Sequence, residues 1–212
     1  MNVTVIGAGA AGMIAAGRAA EKGHVVDIYE KNNMAGKKLR ITGKGRCNIT
    51  NASEPDEHIE NTPGNPYFMY SALYKFQPSD TVGLIEKMGV LTKVERGKRV
   101  FPVSDKAADV VDALVRYMKK NGVRLHFDKA VKDIIIEDGK TCGIVLNDGS
   151  RVLSDAVIVA TGGLSYPSTG STGDGYRFAK KAGHTVTPLL PSLVPLKSDS
   201  PFCGELMGLS LK

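Results

Sequence analysis

Gly7, Gly9 and Gly12 stand in the spacing G-x-G-x-x-G, directly after the apolar run 3–6 and at the head of the alanine-rich run 11–22. Eighteen residues after Gly12, Glu30 closes a second apolar run, 25–29. These residue types in this order suit an anionic dinucleotide. Gly7 permits a tight turn, Gly9 lets the backbone approach a pyrophosphate, and Gly12 lets helix and strand pack closely. The helix N-terminus offers spare N–H groups and a partial positive charge to the anion. Glu30 can accept hydrogen bonds from both ribose hydroxyls and would repel a 2′-phosphate.

A second stretch, "GKKLRITGKGRCNITN" at 36–51, carries five cations and no acid. Lys37 and Lys38 could sit close to the pyrophosphate. In "TGKGRCN", 42–48, Gly43 and Gly45 allow positive φ, so that successive N–H groups can point at one ligand. Arg46 offers a planar fork suited to phosphate or to a carbonyl-rich ring edge. A solvated basic turn is the alternative. Cys47 reads either as a reactive thiol, its pKa lowered by the neighbouring cations, or as a small packing residue. A third stretch, 159–183, runs from "VATGG" through a Ser/Thr/Gly-rich loop to a helix headed by Asp174. Its backbone would reach the carboxyl edge of a sheet, where open α/β folds bind ligands; an ordinary strand-to-helix loop is the other reading.

The elements that must position these residues follow from periodicity and turn residues. Runs 3–6 and 25–29 read as buried strands around a helix that ends near Gly23. Residues 36–66 are expected to be loop-rich. Ser79 is the expected N-cap of a helix over 80–88, and "VLTKVERGKRVFPV" a hairpin turning at Arg96-Gly97. Ser104 should cap a helix whose apolar face is Val110, Val111, Leu114, Val115 and Met118. After Gly122 a strand begins. Turns at Asp138-Gly139 and Asp148-Gly149 imply a β-meander of three strands, "AVIV" a further buried strand, and 175–182 a helix. Strands alternating with helices predict an α/β fold with a parallel sheet covered on both faces.

The composition of the 212 residues, 42% hydrophobic and 24% charged, is that of a globular protein. No run of eighteen apolar residues offers a membrane span. Cys47, Cys142 and Cys203 include no C-x-x-C pair, which argues against a disulfide scaffold or zinc site and for a reducing, cytoplasmic setting. His24, His58, His126 and His184 show no metal-ligand spacing, and no metal is expected. The net charge of +6 would suit a nucleic acid, but aromatic residues make up 6% and the cations cluster at the 36–51 loop. Stacking platforms are therefore scarce, and no nucleic-acid partner is expected.

In order along the chain, "VIGAGAAGMIAA", "GKKLRITGKGRCNITN", "RVFPVSDKA", "ATGGLSYPSTGSTGDGYRFAKKAGH" and "PSLVPL" resemble the BaiN-like NAD(P)/FAD-dependent oxidoreductases, a group that includes an aminoacetone oxidase. The resemblance implies a Rossmann-like, two-dinucleotide-binding (glutathione-reductase-type) FAD domain over 1–188, then the start of an inserted β-rich domain over 189–212. It implies FAD as cofactor, with a small molecule, NAD(P)H or both as partner. By its motifs, Gly7, Gly9, Ala10, Ala11 and Gly12 would hold the pyrophosphate, and Glu30 and Lys31 would flank the adenosine ribose. Lys37, Lys38, Thr42, Arg46, Cys47 and Asn48 would approach the pyrophosphate and flavin side. Val131 would grip adenine through its backbone, and Thr161, Gly162 and Gly163 would lie against the cofactor. Members of this group are roughly twice as long, so the chain reads as an N-terminal part whose C-terminal half completes the flavin site. A nucleic-acid-modifying flavoprotein and an NAD-only Rossmann dehydrogenase are the alternative readings. No catalytic acid or base is identified.

Overall fold

Strand β1 (Asn2–Ile6) buries every residue after the first, which a strand can do only where both faces of its sheet are covered. It leads into helix α1 (Ala10–Glu21), and the chain returns as β2 (Val25–Tyr29) after Gly23, at φ 82°, breaks the helix. The computed structural model describes residues 1–193 and 198–209. Beyond β2 come β3 (Thr50–Asn51), α2 (Pro55–Glu60), α3 (Tyr70–Lys75), α4 (Pro78–Lys87), β4 (Thr92–Glu95), β5 (Arg99–Pro102), α5 (Ala107–Lys120) and β6 (Arg124–His126). The meander β7 (Val131–Glu137), β8 (Lys140–Leu146) and β9 (Arg151–Leu153) precedes β10 (Ala156–Val159), α6 (Asp174–Lys181) and α7 (Phe202–Glu205).

The central sheet has the order β10-β1-β2-β6, all parallel. Its register aligns Ile6 with Val159 and Tyr29, and Tyr29 with His126. The carboxyl ends of all four strands thus meet along one edge. α1 and α5 cover one face: Met13 and Ala16 from α1, and Val110, Leu114 and Met118 from α5, share a core with Val3, Val5, Val26 and Ile28. Each fully buried Val, Leu, Ile or Met side chain among these contributes about 1.5–3 kcal/mol relative to exposure. The helices approach closely at Gly17, where a Cβ would stand 2.1 Å from the Tyr117 ring. A second cluster, Ile6, Tyr29, Ile134, Ile144, Leu146 and Phe178, joins the meander and α6 to the sheet.

The parallel sheet, the hairpin β4–β5 around Gly97 (φ 74°) and the meander agree with the sequence reading. Four local expectations are corrected. α4 starts at Pro78, because proline suits the first helical position. Gln77 rather than Ser79 is therefore its cap, and its backbone N–H donates to Asp80 Oδ2 at 2.8 Å. Lys106 rather than Ser104 occupies the cap position of α5. Residues 36–66 hold more than loop: α2 forms there, and a kinked 3-10 segment covers Leu39–Gly45. β10 lies at the sheet edge, with Val159 44% exposed, not fully buried. The segment 189–212, expected to open a second unit, forms α7 and carries no strand among its described residues; 194–197 and 210–212 lie outside them.

Candidate cofactor site

The turn after β1 is held by Gly7 N, which donates to Tyr29 O at 2.8 Å. Gly7 sits at φ 99°, and a Cβ there would stand 2.6 Å from Ala160 O. A Cβ on Gly12 would stand 1.9 Å from Gly7 O, so only glycine lets α1 cross the strand this closely. Gly9 differs from both. It occupies the N-cap of α1, a Cβ there would meet nothing within 4 Å, and it opens onto a cleft. The first α1 amide bonded to the cap is that of Met13, to Gly9 O at 2.9 Å. The amides before it are the spare donors of a helix start, and Gly9, Ala10 and Ala11 line the cleft.

The cleft measures about 900 Å³, at the upper end of the range for small-molecule sites. It follows the carboxyl edge of the sheet, between the β1–α1 turn and the segment that follows β2 on one side and the β7 start, the 161–172 loop and the α6 N-terminus on the other. Lys31, Lys37, Lys38, Lys129, Lys132 and Arg177 line it, against Glu30 and Asp174. That excess of positive charge suits phosphate. Glu30 is buried, at 8% exposure. Its Oε2 accepts from Ala8 N at 2.8 Å, and its Oε1 from Asn32 N at 2.8 Å and Asn32 Nδ2 at 2.6 Å. The carboxylate is thereby fixed beside the glycine turn with about one of its four lone-pair sites to spare.

Lys37 Nζ donates to Asn32 Oδ1 at 3.3 Å, and Lys38 Nζ crosses to Ser165 O at 2.7 Å. Thr42 lines the cleft, its Oγ1 donating to Leu39 O at 2.8 Å. Val131 lies at the far wall with Ala130 and Asn147, and Asn147 N donates to Ala130 O at 2.9 Å. Thr161 and Gly162 line the wall after β10. Gly162 takes φ 73°, where a Cβ would meet Ser171 Oγ at 2.7 Å. Gly163 stands behind that wall, against Tyr176.

Arg46, Cys47 and Asn48 lie outside the cleft. Arg46 Nη1 bonds Glu95 Oε1 at 2.9 Å and Asp105 Oδ1 at 3.3 Å, and its guanidinium stacks 4.1 Å from the Phe101 centroid. Lys93 completes the network at 2.6 Å from Asp105. The Arg46 hydrogen bond holds the Glu95 carboxyl below its usual range, and Lys93 does the same for Asp105. Cys47 is fully buried in the core that α1 and α5 share, at φ 64°. Burial pushes its thiol up, with a hydrogen bond to Thr42 acting against it, so the packing reading describes it and the activated-thiol reading does not. Asn48 is exposed, and turning its amide over lets the nitrogen donate to Thr50 O and Val100 O at 3.1 and 3.3 Å. The amides of Arg46 and Cys47 are bonded within their own turn, to Gly43 O and Thr42 O. The 42–48 turn is thus built to lock itself against the hairpin.

Asn32, Lys129, Asn147, Thr172 and Arg177 line the cleft without having been singled out in the sequence. Asn32 had a signal, its place two residues after the acid that it orients. Thr172 and Arg177 lie within the 159–183 stretch, on its loop and on α6, whereas Lys129 and Asn147 arrive from distant loops that no local spacing marks.

The comparisons with known proteins agree with this geometry. The HI0933-like protein Rossmann domain matches residues 1–204. A 3-dehydro-bile acid delta(4,6)-reductase of Clostridium scindens is 34% identical over 199 residues, 92% of this chain and 47% of that protein. A ribosomal RNA dihydrouridine synthase of Escherichia coli is 33% identical over 211 residues, 99% of this chain and 51% of that protein. The chain therefore spans about half the length of the curated relatives it matches. Among solved structures, Mycobacterium smegmatis Sdh1 in complex with UQ1 superposes with a TM-score of 0.65 at 23% identity, over 85% of this chain and 38% of that one. A flavocytochrome c3 fumarate reductase gives 0.61 at 22%, over 85% and 40%. These two likenesses establish the fold. The space open at Gly9, the spare amides of α1 and the cationic lining fit FAD, the cofactor that the family indicates. The chain belongs to the HI0933-like family of FAD-dependent oxidoreductase-like proteins, whose Rossmann domain it carries.

Proposed function

We propose that this chain is the FAD-holding portion of a flavin-dependent oxidoreductase that acts on a small molecule, on NAD(P)H or on both. The observation that carries this reading is the glycine turn open at Gly9, facing the same cleft as the fixed carboxylate of Glu30. Bound FAD supplies a two-electron centre, and these residues hold and orient it. The α1 amides, with Lys37 and Lys38, would hold the pyrophosphate; Glu30 the adenosine ribose; the backbone at Ala130 and Val131 the adenine; Thr161 and Gly162 the route toward the flavin. Chain beyond the matched half, which the relatives possess, completes the flavin end and the substrate pocket. The test is anaerobic mixing of the full-length protein with NADH and with NADPH. Bleaching of the flavin band by either one within a turnover time is the expected result; an oxidised spectrum with both removes NAD(P)H from the reading.

A nucleic-acid substrate is the second reading. Two relatives, from Escherichia coli and Haemophilus influenzae, are named ribosomal RNA dihydrouridine synthases, and the net charge is +6. Affinity for ribosomal RNA that falls steeply with salt would favour it over the small molecule.

A further inference from the structure

The two walls of the cleft meet in a charged contact that the glycine motif does not explain. Lys31, next after Glu30, reaches Asp174 Oδ2 and Thr172 Oγ1, both at 2.7 Å. The Thr172 hydroxyl lies 3.1 Å from the same Asp174 oxygen. All three residues line the cleft, Lys31 in the segment after β2 and Thr172 and Asp174 in the loop before α6 and at its start. The contact is tightly backed: at Gly170, φ 101°, a Cβ would stand 2.7 Å from Asn32 Nδ2 and 3.2 Å from Lys31 Cε. Lys31 and Asp174 keep 29% and 28% of their side-chain exposure, so the pair is largely shielded from solvent. Burial alone would raise the Asp174 carboxyl, but Lys31 together with Thr172 and Arg177, whose guanidinium lies 3.6 Å from Asp174 Oδ1, outweighs it and holds the group below its usual range.

In dinucleotide folds, a cation near the ribose acid is what accommodates a 2′-phosphate. Lys31 stands at that place, yet its charge is already matched. We infer that Asp174 is a specificity-determining residue: by engaging Lys31 it withholds that cation from a ribose 2′-phosphate, and the cleft takes nucleotides whose ribose hydroxyls are free. The inference rests on reading the cleft as the site of an adenosine diphosphate moiety.

The test uses the full-length apoprotein, titrated calorimetrically with ADP-ribose and with 2′-phospho-ADP-ribose. The wild type is expected to prefer ADP-ribose, and Asp174→Asn to reduce that preference about tenfold by freeing a charge-assisted contact. The double variant Lys31→Met/Asp174→Asn should return the ratio toward that of the wild type. Lys31→Met alone should leave the preference unchanged or larger, and it keeps the test decisive should Asp174→Asn fold poorly. An unchanged ratio in Asp174→Asn, a gain that survives in the double variant, or a reduced preference in Lys31→Met overturns the inference. Failure of the wild type to bind ADP-ribose at all overturns the cofactor reading itself, and that outcome is distinguishable from the others.

Discussion

Asp27 on β2 and Glu30 directly after it, three residues apart, have opposite duties. Asp27 faces β6, where Arg124 binds it through two nitrogens and His126 Nε2 lies 2.7 Å away. Burial would raise its carboxyl, but Arg124 and His126 outweigh burial and hold it below 3.8. Its contribution to stability is therefore complete above about pH 3.8 and is lost as the pH falls through the lower folded value. Arg124 is 60% exposed, so solvent screening limits that contribution to about 0.5–1 kcal/mol. Glu30 instead serves the cleft. Glu30→Gln is expected to weaken ADP binding by about 1.5–3 kcal/mol, roughly 10–100-fold, since charged hydrogen bonds to the ribose are lost. Asp27→Asn should leave binding within about twofold and instead flatten the loss of stability in acid. Calorimetric titration with urea unfolding at neutral and acid pH checks both; equal losses of ADP affinity would remove Glu30 from the ribose role.

At the scale of elements, the three glycines of the first turn separate fold from function. Gly12→Ala drives a Cβ into Gly7 O, a backbone atom that cannot step aside, so α1 must lift from the sheet. The expected cost is about 1–3 kcal/mol, seen as a lower melting temperature with weaker binding. Gly9→Ala meets nothing within 4 Å. It should melt near the wild type and yet bind FAD at least tenfold more weakly, because its methyl group occupies the approach to the spare amides. If both variants melt alike and bind alike, Gly9 does not face the ligand. These glycines were legible in the sequence because their duties depend on neighbours along the chain: a strand before, a helix after, an acid closing the next strand. The Asp-Gly turns of the meander were legible for the same reason. Arg46 was not. Its type and its loop suit an anion, but the partners that claim it, Glu95 and Asp105, lie 49 and 59 residues away. Likewise Lys31 meets Asp174 across 143 residues. Periodicity carries no information about which distant charge arrives first, so the sequence showed the cations without showing which of them remain free for a ligand.

Over the whole molecule, the parallel sheet brings the ends of β1, β2, β6 and β10 to one edge, and the cleft forms there because those ends are where turns and loops converge. The glycine turn, Glu30 and the Val131 wall that would hold an adenosine diphosphate all belong to this chain, whereas its relatives are about twice as long. Affinity here should accordingly reside in the adenosine diphosphate half of FAD. Titrating this chain in parallel with FAD, ADP and FMN tests that claim most directly. FAD and ADP are expected to bind with affinities within about tenfold of each other, since the shared half supplies the contacts, and FMN, which lacks it, to bind at least a hundredfold more weakly. FMN binding as tightly as FAD while ADP fails to bind would contradict the assignment of the glycine turn and Glu30 to the cofactor.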